Sequence, residues 1–365
     1  MRAINLWMKG NPYTSYGKIQ LALCREFEAL GVRVNLRGEL DKGGRRWLAD
    51  NLSEGWVGQH QNGRMAEISL AFYKPQDLIN QDGEIGKRLW LLTMSESDKA
   101  PSQKWVRSIN AHYEQVFVGC DDLVGIYKEA GVTAPVAAIP LGVDFARPLT
   151  LPPHLTPPPA PPRNTGRGEY NDRDGHFVWL THSNGDGRKG AERAIMAFKM
   201  AFGGEKRYQL WIKSQYTRNN WLAGMDDEQI TIAPGELDEG EWMELLSSVQ
   251  AFIWLTHGEG FGLTAREATV AGTPTVGTQW LGMKDIDQWG YPVRVERMSP
   301  ARFIQAEAND PAGMWADADV EQAADIMRRI AGDYESAKMF AIQGRDYLLE
   351  HFTYRKMAEA IAERL

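Results

Sequence analysis

Two doubly wound α/β domains joined by a stiff linker are predicted by three features of this 365-residue sequence. Short apolar runs alternate with amphipathic stretches as far as Pro140. Eight of the 18 prolines then crowd between Pro148 and Pro162, and the alternation resumes at His176. Strand followed by helix, repeated, implies a parallel sheet covered on both faces. Prolines hold the intervening backbone extended and act as a spacer.

The first alternation reads AINLWM (3–8), a helix from Lys18 to Leu30, VRVNL (32–36), EISLAFY (67–73) and RLWLLTM (88–94). It continues with a helix near 102–113, QVFVGC (115–120), a helix near 121–130 and PVAAIP (135–140). In the first helix Ile19, Leu23, Phe27 and Leu30 share one stripe, which marks them as core, and Gly31 supplies the stop. The second alternation reads HFVWLTH (176–182), a helix over 190–202 with Ile195, Phe198 and Phe202 on its buried stripe, RYQLWIKS (207–214) and QITIAP (229–234). A helix over 239–249, AFIWLT (251–256), a helix over 264–271 and TPTVGT (273–278) follow, with helical patterns near 320–331, 335–350 and 354–365. The expected boundaries are a domain over 1–147, a linker over 148–175, a second domain over 176–351 and a closing helix at about 352–365.

Charge and cysteine usage narrow the function. Lys and Arg number 41 against 48 Asp and Glu, a net charge of −7. To Arg147 the balance is 18 against 17, and 23 against 31 remain for the acidic second part. A nucleic-acid binder usually carries a basic face, so DNA or RNA is not favoured. Cys24 and Cys120 form no CxxC and no zinc spacing, the N-terminus shows no signal-peptide pattern, and no run of about 18 apolar residues occurs. A cytoplasmic protein is expected, and peripheral membrane contact is compatible with that.

The segment Thr256–Thr278, THGEGFGLTAREATVAGTPTVGT, concentrates the chemistry. An apolar strand is broken by Gly260 and Gly262, and a helix opens at Thr264, so Glu259 precedes the helix and Glu267 lies in its first turn. Bare backbone N–H groups and the positive end of a helix dipole suit an anion, while carboxylates accept hydrogen bonds from hydroxyls. An anionic, polyhydroxylated ligand such as a nucleotide-sugar fits both. Thr264-Ala-Arg-Glu267 also satisfies the capping-box pattern, in which Glu267 reaches back to the Thr264 N–H. For Glu259 no structural task is evident, and His257 reads as a loop residue.

EGFGLTAREATVAGTPTV resembles the E-x7-E signature of the retaining, family 4 glycosyltransferases of GT-B fold. The resemblance implies two Rossmann-like domains facing across a cleft, with the last helix packing back on the first domain. It implies that Glu259 lies against the donor sugar and Glu267 holds the ribose, while Gly260, Phe261, Gly262, Leu263 and Thr264 line the diphosphate, the last three through backbone N–H groups. It also implies transfer from a nucleoside-diphosphate sugar to a hydroxyl-bearing acceptor, with retention and without a cofactor; no DxD-like metal station is evident in the sequence.

Gly187-Arg188-Lys189-Gly190 resembles the family's RKG motif, and cations at a helix N-terminus oppose the helix dipole unless a phosphate is bound there. The resemblance gives Lys189, with Glu259, the catalytic role, and leaves Arg188 to solvent or a neighbouring carboxylate on the donor side. Many members of the family place a further arginine at the end of the preceding strand where this chain has Thr181-His182-Ser183-Asn184; Lys213, ending another strand, either replaces part of that charge or is a solvated strand end. Ala233-Pro234-Gly235-Glu236 falls where the family holds the nucleobase.

Gly10 to Lys18 is a strand-to-helix loop but no Walker A, because six residues separate Gly10 from Gly17 and Ile19 replaces the magnesium-binding hydroxyl. In the family this loop approaches the diphosphate and the acceptor, which makes Gly17 a donor-side candidate and Tyr13 an acceptor-side one. Glu96 and Asp98, in the polar run after RLWLLTM, are further acceptor-side candidates, for binding or proton acceptance. Ile139 to Asp144 resembles the family's P-x-G-V-D segment, with Gly142 permitting a turn and Asp144 fixing the hinge. Lys42 to Trp47 is a basic and aromatic cluster, read as solvated charge or as a hold on an anionic acceptor. Two rivals keep the fold: a glycosyltransferase acting on modified bases in DNA, supported by that cluster, and a nucleotide-sugar-binding protein that has lost catalysis, suggested by the missing arginine.

Overall fold

The computed structural model describes residues 2–7, 15–37, 65–72, 86–99, 102–143, 176–183, 187–214, 228–234, 237, 239–302 and 313–365. The chain divides into two compact units, Met1–Ala146 with Phe352–Leu365, and Arg147–His351. Tyr13, Lys42 to Trp47, Asp144, Asn184, Gly235, Glu236 and the proline-rich segment lie outside the described residues.

The first unit is a parallel six-stranded sheet of β1 (Ala3–Trp7), β2 (Arg33–Arg37), β3 (Ile68–Phe72), β4 (Arg88–Leu92), β5 (Gln115–Val118) and β6 (Val136–Ala138), ordered β2-β1-β3-β4-β5-β6. Its strands are buried on both faces, which is why they read as unbroken apolar runs. A buried amide network fixes the pairing: Asn5 Nδ2 donates to the carbonyls of Ala66 and Ile68 and to Ser69 Oγ, and Asn35 Nδ2 donates to Asn5 Oδ1 at 2.8 Å. A one-residue slip would strand these groups in the core. Helices α1 (Ser15–Ala29), α2 (Gln103–His112) and α3 (Asp121–Glu129) belong to this unit. Ile19, Leu23 and Phe27 are buried on α1, whereas Leu30 falls in the turn beyond it and is only partly covered. Gly31 stops the helix at φ 70.

The second unit carries a parallel sheet of β7 (Phe177–Ser183), β8 (Tyr208–Ser214), β9 (Ile230–Pro234), β10 (Ala251–Trp254), β11 (Thr275–Thr278) and β12 (Tyr291–Val293), ordered β12-β11-β10-β7-β8-β9. Helices α4 (Ala191–Phe202), α5 (Glu239–Ser248) and α6 (Leu263–Val270) connect the strands. An antiparallel pair, β13 (Val295–Pro300) with β14 (Met314–Ala318), and helices α7 (Val320–Gly332) and α8 (Tyr334–His351) complete the unit. From β7 the chain moves outward through β8 and β9, then returns to the other side of β7 at β10. Strand order therefore reverses between β7 and β10, and open α/β sheets bind ligands beyond the carboxyl ends of the strands at such a point. On α4, Phe198 and Phe202 are buried as expected, but Ile195 is half-covered and Ala194, Ala197 and Ala201 complete the face.

After α8 the chain returns to the first unit with α9 (Tyr354–Ala362), capped by the Thr353 side chain. Arg2 Nη1 donates to the Ala362 carbonyl at 2.9 Å, and the Val143 N–H donates to the Phe352 carbonyl at 2.9 Å. Gly142 has a different reason from the turn expected of it: a Cβ there would lie 2.3 Å from the Tyr354 backbone nitrogen, so close approach of α9 requires glycine. Among the described residues no helix is long and apolar enough to cross a membrane.

Candidate active site

A 3-10 turn, Gly187–Lys189, follows β7, and Gly190 caps α4 in the left-handed region at φ 63 and ψ 27. No side chain fits at that position, because an ideal Cβ would lie 1.9 Å from the Leu255 carbonyl oxygen. The turn is packed backbone against backbone on the end of β10. Two hydrogen bonds to the Arg188 carbonyl hold it there, from the His257 N–H at 2.8 Å and from Thr256 Oγ1 at 3.0 Å.

Beyond β10 the chain runs to Gly262, which caps α6 at φ 75 and ψ 39 with no side-chain hydrogen bond. The first amides of a helix lack intrahelical carbonyls, so those of Leu263 and Thr264 face whatever precedes the helix. Since Gly262 is the N-cap and the helix opens at Leu263, Thr264 does not hold the position that the capping-box reading required. The loop rests on the segment Leu281–Met283: the Gly282 N–H donates to the Glu259 carbonyl at 3.0 Å, and a Cβ on Gly282 would lie 2.4 Å from the Gly260 carbonyl carbon.

Glu259 is 8% exposed and receives three donors on one oxygen. Lys189 Nζ lies 2.8 Å from Oε1, Arg188 Nη1 3.1 Å and Thr256 Oγ1 3.2 Å. Among the described residues Oε2 accepts no hydrogen bond. Burial by itself would push the Glu259 carboxyl up, but the charges of Lys189 and Arg188 and the hydrogen bonds from Lys189 and Thr256 carry it below the usual carboxylate range. The group is therefore an anion near neutral pH. Arg188 is buried rather than solvent-facing, and Nη1 also donates to the Gly258 carbonyl at 2.8 Å. Lys189 is more open, with Nζ 4.9 Å from the centre of the Trp254 ring.

The model of the family described as family 4 glycosyltransferase in conflict systems matches residues 143–361, more than half of the chain. The chain belongs to that family. Solved structures share its GT-B fold over the whole length. Sucrose-phosphate synthase from Thermosynechococcus elongatus superposes with a TM-score of 0.67 at 15% identity, covering 100% of this chain and 98% of that one. HepE of Anabaena, in complex with UDP and glucose, gives 0.67 at 12% identity, covering 100% and 99%. A glycosyltransferase from Rickettsia africae gives 0.63 at 13% identity, covering 100% and 97%. No curated protein matches the sequence.

In this family 4 glycosyltransferase the second glutamate of the motif is buried beside an aromatic group that the sequence did not announce. Trp242 Nε1 on α5 donates to Glu267 Oε2 on α6 at 2.8 Å. Trp242 meets the His182 ring edge to face at 5.8 Å, and His182 stacks on Trp254 at 6.0 Å, the same ring that Lys189 covers. Side chains thus connect Glu267 to Glu259 through Trp242, His182, Trp254 and Lys189. At the end of β7 this chain has an imidazole wedged between two indoles. Lys213 ends β8 and is 6% exposed with Nζ 3.3 Å from the Ser214 carbonyl, so it is not a solvated strand end.

Two further residues escaped the sequence reading. Arg266, 2% exposed, makes a paired contact with Asp285 (2.7 and 2.9 Å), donates to the carbonyls of Phe261 and Gly282, and lies between the rings of Phe261 and Trp289. It ties the loop before α6 to its floor. His257, expected as a plain loop residue, is buried with Nδ1 3.0 Å from Asp317 Oδ1, Nε2 3.2 Å from Glu192 Oε1, and its ring on Trp315. It joins the β13-β14 pair and α4 to the end of β10.

The donor-side candidate Gly17 and the acceptor-side candidates Glu96 and Asp98 lie in the first unit. Gly17 is buried in the first turn of α1, Glu96 is partly exposed and Asp98 exposed beyond β4. Thr93, Ser95 and Ser97 of the same run are buried, and Ser95 Oγ and Ser97 Oγ both donate to the Lys99 carbonyl, folding this segment back on itself. Among the described residues no group of three or more His, Cys, Asp or Glu side chains is arranged to hold a metal ion.

Proposed function

We propose that this glycosyltransferase moves a sugar from a nucleoside-diphosphate sugar to a hydroxyl-bearing acceptor, with retention of configuration and without a metal ion, in the cytoplasm. The observation that carries this reading is the Lys189–Glu259 contact of 2.8 Å at the strand-order reversal of the second unit. All three donors to Glu259 fall on Oε1, which leaves Oε2 to accept from a sugar hydroxyl. Because the carboxyl stays ionised, Glu259 acts here as an acceptor and not as an acid. UDP and glucose bound to HepE motivate the donor class.

The difficult event in such a transfer is departure of the diphosphate as charge grows on its bridging oxygen. Lys189 and the first-turn amides of Leu263 and Thr264 supply preorganised positive charge at that point. A fixed cation does the work that a metal does elsewhere, which supports the metal-independent reading. The acceptor hydroxyl gives up its proton as the new glycosidic bond forms. Retention rests on the family resemblance, in which acceptor and leaving group share one face of the sugar.

The test is thermal stabilisation by a panel of UDP-, GDP- and ADP-sugars, followed by nucleotide release and assignment of the product anomer. A true donor at about 100 times its dissociation constant stabilises by about 2.7 kcal/mol. If no nucleotide-sugar stabilises the protein, the donor class is wrong. Loss of turnover in a chelator removes the metal-independent clause, and binding without any turnover identifies a sensor instead.

A further inference from the structure

We propose that Trp242 is a positioning residue that makes the donor site selective for ribonucleotides over 2′-deoxyribonucleotides. The inference rests on the reading above, in which Glu267 faces the ribose of the donor. Trp242 is 9% exposed and Glu267 6% exposed, and the indole N–H meets Oε2 at 2.8 Å. A hydrophobic residue of any kind would fill the space between α5 and α6. Only an indole fills it and also aims a single donor, with no acceptor of its own, at a buried carboxylate.

The consequence lies in the last torsion of Glu267. Rotation about a terminal sp3–sp2 bond is broad and nearly unrestrained, so a glutamate held only at its backbone presents its oxygens over a range of angles. The Trp242 N–H pins one oxygen toward α5 and sets the plane of the other. A carboxylate has about four lone-pair sites, and the Trp242 N–H takes one of them and so fixes the directions of the others. Two hydroxyls on adjacent carbons need both acceptor directions fixed at once, and removing the 2′-hydroxyl leaves part of a buried anion unmatched, which is strongly unfavourable. Trp242 is itself held by the His182 ring at 5.8 Å and 61°, and His182 by Trp254. The wedge at the end of β7 thereby sets the angle from which Glu267 is oriented.

The experiment measures, on the full chain by calorimetry, dissociation constants of UDP, GDP, ADP, their 2′-deoxy counterparts and pyrophosphate. For the best-binding base the native protein should prefer the ribonucleotide by about tenfold or more, the scale of one hydrogen bond to a charged group. Trp242→Phe keeps an aromatic ring against His182 and removes the N–H. It should reduce that preference about fivefold or more, through weaker ribonucleotide binding, with pyrophosphate affinity nearly unchanged. A merely structural tryptophan would weaken all ligands together or none. Should Trp242→Phe fail to fold, benzothienylalanine at position 242 keeps the bicyclic shape without the donor and must give the same loss. A native ribose preference that survives either replacement overturns the proposal. Glu267→Gln separates the two levels: if it removes the preference while Trp242→Phe does not, only the Trp242 role fails. If it leaves the preference intact, or if no nucleoside diphosphate binds the native protein, the underlying reading fails with it.

Discussion

Gly190 approaches Leu255 so closely that a methyl group at Gly190 would overlap the Leu255 carbonyl oxygen, at 1.9 Å. That approach places Arg188 and Lys189, which follow β7, against Glu259, which follows β10. Gly190→Ala has two penalties, left-handed backbone for a residue with a Cβ and an overlap with backbone that has no flexible end to move. The expected destabilisation is about 2–5 kcal/mol, read from urea unfolding. A change below about 1 kcal/mol would mean that the two segments are not in contact.

Lys189 and Arg188 share an acceptor but differ in burial, and their substitutions should separate. Lys189→Ala is expected to lower kcat by about 100- to 1000-fold, the scale for one preorganised donor, while the fold survives because Arg188 still neutralises Glu259. Arg188→Ala loses the Gly258 carbonyl as well as the carboxylate, and should lower stability by about 1–3 kcal/mol. Equal effects of both on turnover and on unfolding would contradict this division.

Glu259→Gln should impair sugar transfer more than binding of the free nucleoside diphosphate, because the residue is assigned to the sugar. Equal losses in both measurements count against that assignment.

The same residue gives a pH dependence. Its folded-state carboxyl lies below the ordinary value of 4.5, so its stabilising contribution is complete above that value and is lost as pH falls through the lowered one. The stability gap between the native protein and Glu259→Gln should therefore be widest near neutrality and narrow on acidification to about pH 3. A gap that widens on acidification would reverse the sign of the shift.

Arg266→Ala removes a buried cation from Asp285 and from two carbonyls. A loss of about 3–5 kcal/mol is expected, with faster hydrogen exchange at the Phe261 and Gly262 amides. Unchanged exchange there would show that Arg266 does not hold the loop.

Much of this was legible in the residues. Strands such as FVWLTHS and AFIW announce themselves because both faces of a parallel strand are buried, and the glycines around Glu259 and Lys189 mark where backbone had to turn or approach closely. β13 was not legible, since most of its side chains are exposed and it shows no alternation, and β12 is a three-residue edge strand containing proline. Within the site, Trp242 and Glu267 stand 25 positions apart on different helices, a pairing that no local pattern encodes. Arg266 was hidden for another reason. Charge on a helix normally marks the water side, but α6 is covered almost all round, so an arginine on it goes inward with its own carboxylate and rings.

The return of α9 to the first unit ties the two ends of the described chain, Arg2 to Ala362. During synthesis the amino-terminal unit emerges first, yet α1 and β1 wait with an unfinished surface while the second unit is translated. Only when residues 352–365 have left the ribosome can α9 cover α1, so a premature stop that spares the whole second unit would still leave the earliest-made part of the protein without one of its packed helices.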